Sequence, residues 1–471
     1  MLAIGASQEA PAPQIQAGFV LAVTSVAALG GLLFGYDTAV ISGAIGFLQI
    51  HFDLDSVNLG WAASCALAGC VLGAMVAGLI SDVFGRRKVI FLSAIMFLIS
   101  AIGTSLAESF AWFVVFRIVG GIGIGAASMA SPLYIAEIAP MRWRGRLVAL
   151  NQFAIVTGML LVYLVNYQIA RLGSIYWNQS TGWRWMFASG AFPSGVLLGL
   201  LFLVPETPRY LATKGKYVEA RAVASRIEGG SAGEIEVRAI EKQANQPNVR
   251  WMFDRSVVRV LFIGIILAVL QQVTGINVFL YYAPKIFAQL GSATNTALLQ
   301  TVLVGAVNLA FTVIAMGTVD RVGRKPLLII GSVGMGICLS AMGLTAGHSR
   351  VGLGQLMFVL GYIACFALSV GPVTWIVLSE LFPTNIRGRA MAIATVALWG
   401  ANFVVAQTFP MMDESEYLVS RFHHGFPFFV YAAFCFLEVV FVWVMLPETK
   451  NRSLEEISES WRLKGILLAE R

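Results

Sequence analysis

Asp82-Val-Phe-Gly85-Arg86-Arg87-Lys88 returns later in the chain as Asp320-Arg-Val-Gly323-Arg324-Lys325. Glu137-Ile-Ala-Pro140-x-x-x-Arg144-Gly145-Arg146 returns as Glu380-Leu-Phe-Pro383-x-x-x-Arg387-Gly388-Arg389, and Pro205-Glu206-Thr207 as Pro447-Glu448-Thr449. Three motifs in one order and at nearly one offset mark two homologous halves in parallel orientation. In an apolar chain that repeat is an alternating-access architecture with its binding site between the halves. Part of each motif also serves a plainer purpose: Asp82 and Asp320 fall where the next helix begins and are placed to cap its N-terminus.

The sequence between the motifs is apolar. Of 471 residues 58% are hydrophobic, and only 32 are basic and 25 acidic, about half the charged share of a soluble globular protein. A soluble protein is excluded. Windows free of Asp, Glu, Lys and Arg run over 10–36, 56–81, 89–107, 118–136, 147–170, 185–205, 260–284, 286–319, 326–349, 351–379 and 390–412, and a last apolar stretch, 422–447, carries one acid, Glu438. Each is about the ~20 residues that one helical crossing needs. Lipid offers nothing to an unpaired backbone group, so the spans are helices, and β-barrel strands would be shorter and alternate in polarity. The expected fold is an all-α integral membrane protein of twelve transmembrane helices in two six-helix pseudo-repeats. The expected organisation is a cytoplasmic tail over 1–16, one half over 17–204, a cytoplasmic linker with short helices over 205–255, the second half over 256–447 and a cytoplasmic tail over 448–471.

The net charge of +7 does not indicate nucleic acid, because the basic residues stand in short clusters between spans. The connections at 82–88, 142–146, 321–325 and 387–389 are rich in Arg and Lys, whereas 49–58 and 413–420 carry acids and neither of those bases. By the positive-inside rule the basic loops and both termini face the cytoplasm, which makes the cytoplasmic membrane the expected location. The five cysteines lie inside apolar spans at spacings that suit neither zinc nor a disulfide framework. Gly121-Ile-Gly123-Ile-Gly125 echoes a nucleotide loop but follows no strand, so it reads as close helix packing. Nothing indicates a cofactor, a metal, ATP or an enzyme's nucleophile. Asn178-Gln-Ser180 is a sequon on the outer side, and His423 with His424 marks an ordinary polar boundary.

With Gly30-Gly-Leu-Leu-Phe-Gly35-Tyr-Asp37 in the first span and Gln271-Gln272-x-x-Gly275-Ile-Asn277 in the seventh, these motifs resemble the sugar porter family of the major facilitator superfamily over nearly the whole chain. Within it the pattern is nearer to the proton-coupled xylose symporters than to the glucose facilitators. The resemblance implies a rocker-switch monomer carrying a monosaccharide with protons across the bilayer, D-xylose first and glucose or galactose next. An uncoupled facilitator or a non-transporting sugar sensor is the alternative.

Asp37 sits late in the first span and Arg117 at the start of the fourth. A charge at membrane depth asks for a partner or a role. An acid that visits both protonation states can carry a proton, and an arginine favours the ionised form when near and releases it when distant. A permanent structural ion pair is the other reading. In the family's proton-coupled members the matching residues are the coupling pair, and the facilitators typically have an amide at the acid position.

A sugar needs amides for its hydroxyls and flat aromatic faces for its C–H surfaces. Gln152, Gln271, Gln272 and Asn277 are amides in otherwise apolar spans, each costly without a partner. Gly275 can interrupt span seven between them, Tyr281 shares a helical face with Asn277, and Gly371-Pro372 should kink span ten one turn before Trp375. By resemblance Gln152, Gln271, Gln272, Asn277 and Trp375 contact sugar, while Phe34, Tyr281, Gly371 and Trp399 line the cavity. Leu398 and Met159 stand where the xylose pattern has Gln, and Gly190 replaces an acid in span six. Asp82, Arg86, Arg87, Glu137, Arg144, Glu206, Glu380, Arg387 and Glu448 form the expected cytoplasmic gate, and the resemblance implies cross-half pairs of Glu137 with Arg387 and of Arg144 with Glu380. Glu438 departs from the family pattern and reads as a paired structural acid or one snorkelling to an interface.

Overall fold

The computed structural model describes residues 16–140, 143–228, 255–289, 291–346, 352–382 and 387–450. The first half comprises α1 (Ala17–His51), α2 (Ser56–Phe84), α3 (Arg86–Ser105), α4 (Phe110–Ile138), α5 (Arg144–Leu172) and a sixth span made of α6 (Trp183–Ala188) and α7 (Ala191–Leu200). Two short helices, α8 (Pro208–Thr213) and α9 (Tyr217–Glu228), follow in the hydrophilic stretch. The second half comprises α10 (Arg255–Val273) with α11 (Ile276–Gln289) as the seventh span, then α12 (Thr294–Val322) and α13 (Arg324–Thr345). It continues with α14 (Gly352–Leu368) and α15 (Val370–Leu381) as the tenth span, α16 (Arg387–Asp413), α17 (Glu416–Phe422) and α18 (Phe426–Met445). The protein is a twelve-span, all-α multi-pass membrane protein with the two-repeat organisation of the major facilitator fold. Its outer surface carries large apolar side chains such as Leu79, Leu203 and Trp443, 73%, 78% and 69% exposed, which lipid tolerates and water does not.

Eleven of the expected spans are helices long and apolar enough to cross a bilayer among the described residues. The sixth is shorter because it breaks. Pro193 has no N–H, and its ring crowds the carbonyl four residues back, that of Ser189; the chain answers with tighter bonds from Gly190 N to Phe187 O (3.1 Å) and from Phe192 N to Ser189 O (3.3 Å). The seventh span breaks at Thr274 and Gly275, as its sequence suggests. Gly275 has φ +91, and a Cβ there would lie 2.6 Å from the Tyr431 ring. The tenth breaks at Ser369, three residues before Pro372, and Ser369 N bonds Phe366 O at 3.1 Å.

The repeat is visible in the backbone. Gly85 and Gly323 close α2 and α12 with φ, ψ of 102, 158 and 105, 160, a region only glycine enters without strain. Within the first half, a Cβ on Gly121 would meet Ala66 O at 1.9 Å and one on Gly125 would meet Cys70 O at 2.3 Å, so α2 and α4 touch backbone to backbone. Asn178 is buried and donates to Ala170 O at 2.9 Å, which removes it as a glycan acceptor. The halves meet through α2 on α16, α5 on α12 and α1 on α11.

Candidate functional site

Asp37 lies near the middle of the 35-residue α1, not late in its span, and Arg117 two turns into α4. Each is therefore deep, and they pair. Arg117 Nη1 donates to both Asp37 carboxylate oxygens at 3.1 Å, and Nη2 donates to Asp37 O at 3.1 Å. The guanidinium carbon stands 5.4 Å from the centre of the Phe187 ring, and Arg117 is 1% exposed against 9% for Asp37. Glycine lets α4 come this close: a Cβ on Gly120 would meet Ser100 Oγ at 2.4 Å and Asp37 Oδ2 at 3.2 Å. The pair is a charge-assisted clamp between two helices of the same half.

In the other half, the broken seventh span gathers the amides. Gln271 Nε2 donates to Val370 O (3.1 Å) and Gly371 O (3.0 Å), at the break of the tenth span. Its Oε1 accepts from Gln272 Nε2 at 3.3 Å, and Gln272 Oε1 accepts from Asn277 Nδ2 at 2.5 Å. Three of the four expected amides thus form one relay anchored on Gly371. Tyr281 OH accepts from Asn402 Nδ2 at 3.3 Å. Trp399 meets Phe34 edge-on across the halves, ring centres 5.5 Å apart, and its buried Nε1 has no partner among the described residues. Gln152 and Trp375 are half-buried on α5 and α15; Met159 and Leu398 are buried. Asn402 was not foreseen, although its signal was the same: an amide in an apolar span, one turn from Trp399.

The ends of the bundle differ. At one end, Lys285 Nζ on α11 bonds Glu414 Oε1 and Gln49 Oε1 (3.3 Å), while Gln49 Nε2 on α1 donates to Glu414 Oε1 at 3.1 Å. Ser64 Oγ donates to Gln407 Oε1 at 2.7 Å, and Gln407 Nε2 donates to Val57 O at 2.9 Å. All of these except the Lys285–Glu414 pair join the two halves. Lys285, a break between charge-free windows in the sequence, lies inside α11.

At the other end the motifs form two matching clusters, one in each half. Arg86 pairs with Asp82 and Glu137 at 3.2 Å, and Arg324 pairs with Asp320 at 3.0 Å and Glu380 at 2.9 Å. Thr207 and Thr449 donate to Glu137 and Glu380, both at 2.6 Å. Glu206 accepts from the Arg86 and Arg87 backbone N–H groups at 3.2 Å, and Glu448 from those of Arg324 (3.1 Å) and Lys325 (3.0 Å). So Glu206 and Glu448 satisfy the first amides of α3 and α13, and the expectation that Asp82 and Asp320 would cap is corrected. Gly85 is required because a Cβ there would lie 2.2 Å from Glu206 Oε2. Burial pushes the Glu206 carboxyl above its ordinary range, with the Thr207, Arg87 and Arg86 N–H donors pulling the other way.

Of the cross-half pairs implied by resemblance, Arg144 with Glu380 is not made among the described residues, and Glu137 with Arg387 falls on a side chain outside them. Glu137 and Glu380 bind arginines of their own halves. Arg144 is exposed without an ion pair among the described residues, and the Arg387 side chain lies outside them. Each glutamate is already taken by an arginine and a threonine of its own half.

The family model for "Sugar (and other) transporter" matches residues 23–461. The D-xylose-proton symporter of Escherichia coli (strain K12) is 44% identical over 95% of this chain and 97% of its own length. The arabinose-proton symporter of Bacillus subtilis (strain 168) is 42% identical over 94% and 95%. The inward-open structure of the xylose transporter from E. coli superposes with a TM-score of 0.83 at 42% identity, covering 94% of this chain and all of that one. On the sequence match and the shared fold alike, the chain belongs to the sugar transporter family of the major facilitator superfamily.

Proposed function

We propose that the protein is a proton-coupled symporter of a monosaccharide, D-xylose first and glucose or galactose next, working by alternating access as a monomer in the cytoplasmic membrane. The observation that carries this reading is the division of labour between halves. One half buries a single acid–arginine pair at mid-depth, and the other presents a relay of amides at two helix breaks. An uncharged sugar uses the second and a proton the first. Its relatives named above are symporters of two pentoses with protons, in keeping with this division.

Asp37 is the proton carrier and Arg117 the residue that sets its affinity in each state. Gln152, Gln271, Gln272, Asn277 and Trp375 bind the sugar; Phe34, Tyr281, Gly371 and Trp399 wall the cavity, and Asn402 orients Tyr281. The basic clusters mark the cytoplasmic end, with residues 1–16 and 448–471 as tails and 205–255 as the linker between the halves 17–204 and 256–447. On that orientation the Gln49, Lys285 and Glu414 contacts tie the halves together at the outer end. Asp82, Arg86, Arg87, Glu137, Arg144, Glu206, Glu380, Arg387 and Glu448 act on the cytoplasmic end when it closes. The test is transport in reconstituted vesicles: counterflow with labelled xylose, glucose and galactose ranks the sugars, and an acid-outside gradient must drive accumulation. Normal counterflow without accumulation would make the protein a facilitator.

A further inference from the structure

Glu438, on α18, is fully buried. Its one hydrogen bond among the described residues comes from the Ser332 hydroxyl on α13, at 3.0 Å to Oε2, and Oε1 has no partner. It makes no ion pair there. Every other deeply buried acid does better: Asp37 holds Arg117, Glu137 holds Arg86 and Thr207, and Asp413 is met by Gln289 and His424. Among the described residues Glu438 meets no cation, and its fully buried carboxyl does not snorkel to an interface. A bare carboxylate in such a place is far more costly than a neutral acid with one hydrogen bond.

Glu438 is also mechanically connected. Ser332 follows Gly331, where the α13 backbone lies so close to the break of the tenth span that a Cβ would fall 1.6 Å from Ser369 Oγ. Ser369 directly precedes Val370 and Gly371, whose carbonyls hold Gln271. A change at the Glu438 carboxyl thus reaches, through two packed helices, the anchor of the amide relay. Glu438 stands seven residues before the end of α18 at the motif end, about 10 Å of helix.

We propose that Glu438 is a second proton-binding site of the transport cycle, exchanging with the cytoplasmic end and coupled through Ser332 to the helix break that positions Gln271. On loading, a proton from cytoplasmic water forms the O–H bond at Oε1 while Oε2 keeps the Ser332 bond. On release the proton returns to that water and the carboxylate remains. Cys435 on the same helix and Tyr362 on α14 are buried titratable groups of the surrounding core. The described charged side chains of the neighbouring elements stand towards the helix ends: Arg324 and Lys325 on α13, Arg259 on α10, Arg389 and Asp413 on α16, and Glu416 and Arg421 on α17. Lys325 Nζ donates to Trp443 O at 2.8 Å, about one and a half turns beyond Glu438 on α18.

This inference rests on the proposed symport, and the experiment separates the two. Glu438→Gln keeps the shape and the Ser332 hydrogen bond but cannot exchange a proton. In vesicles, sugar exchange is followed against internal pH at fixed external pH for wild type, Glu438→Gln and Asp37→Asn. Wild type and Asp37→Asn should share a limb in the internal-pH profile that Glu438→Gln lacks. Infrared difference spectra between high and low pH should show a carboxylic-acid C=O band that disappears in Glu438→Gln. A Glu438→Gln profile superimposable on wild type, with the infrared band unchanged, overturns the proposal. Loss of acid-driven accumulation in wild type would instead sink the symport reading. Should Glu438→Gln fold poorly, Ser332→Ala shifts the same band if the proposal is right and leaves it unmoved if it is wrong.

Discussion

Replacing Asp37 by Asn tests the proposed coupling most directly, because the substitution keeps the shape and removes the charge. In the wild type the Arg117 guanidinium is 1% exposed, and both Asp37 carboxylate oxygens accept from it at 3.1 Å. Breaking a buried pair by neutralising one member costs about 3–5 kcal/mol, mostly from the charge left behind. Here Nη2 retains its bond to Asp37 O, and the Phe187 face remains, so the lower end, about 3 kcal/mol, is expected. Removing both charges in Asp37→Asn/Arg117→Leu should restore at least about half of that stability, because the stranded cation is gone. Thermal unfolding in detergent measures the stability, and reconstituted vesicles measure transport. Asp37→Asn should lose acid-driven accumulation completely and keep counterflow in part, and the double variant should recover stability without recovering accumulation. Full uphill accumulation by Asp37→Asn would refute the assignment of the carrier. A double variant no more stable than the single one would refute the stranded-charge reasoning.

Arg117→Lys, which keeps a cation, should retain more uphill uptake than Arg117→Leu; equal uptake by both variants and wild type would reduce Arg117 to packing. Removing a member of the amide relay leaves its neighbours or a sugar hydroxyl unpaired, a cost on the order of 1–3 kcal/mol. Gln272→Ala and Asn277→Ala should therefore, and Trp375→Ala through its lost aromatic face should also, each weaken sugar binding by roughly tenfold or more in calorimetry, and unchanged affinity in all three would move the site. At the outer end, Glu414→Gln weakens the Lys285 and Gln49 contacts and should raise the external accessibility of single cysteines placed along α1 and α11 in a background without native cysteines. Neutralising Glu137 or Glu380 should shift the same reporters towards the cytoplasmic side, and no shift from either end would make these groups anchors.

Much of this protein was legible in its residue order. Span number and helical character follow from charge-free length, because lipid leaves the backbone no alternative to the helix, and the twofold design follows from the repeated motifs. The breaks at Gly275 and at Gly371-Pro372 were readable because glycine and proline act locally, through allowed φ and a missing N–H; by the same rule Pro193 explains the broken sixth span. The acid, the arginine and the amides stood out because polar groups are rare and costly at membrane depth. What the sequence could not supply was partnership across long separations. That Glu206 and not Asp82 satisfies the start of α3, or that Gln49 meets Glu414, depends on where distant helices come to rest against each other. Which end ties the halves together is likewise a property of their packing, since one chain supports more than one arrangement of them. Glu438 shows the division most clearly: sequence marked it as a rare acid in an apolar span, and tertiary structure alone decided that a single serine hydroxyl, and no cation among the described residues, would meet it.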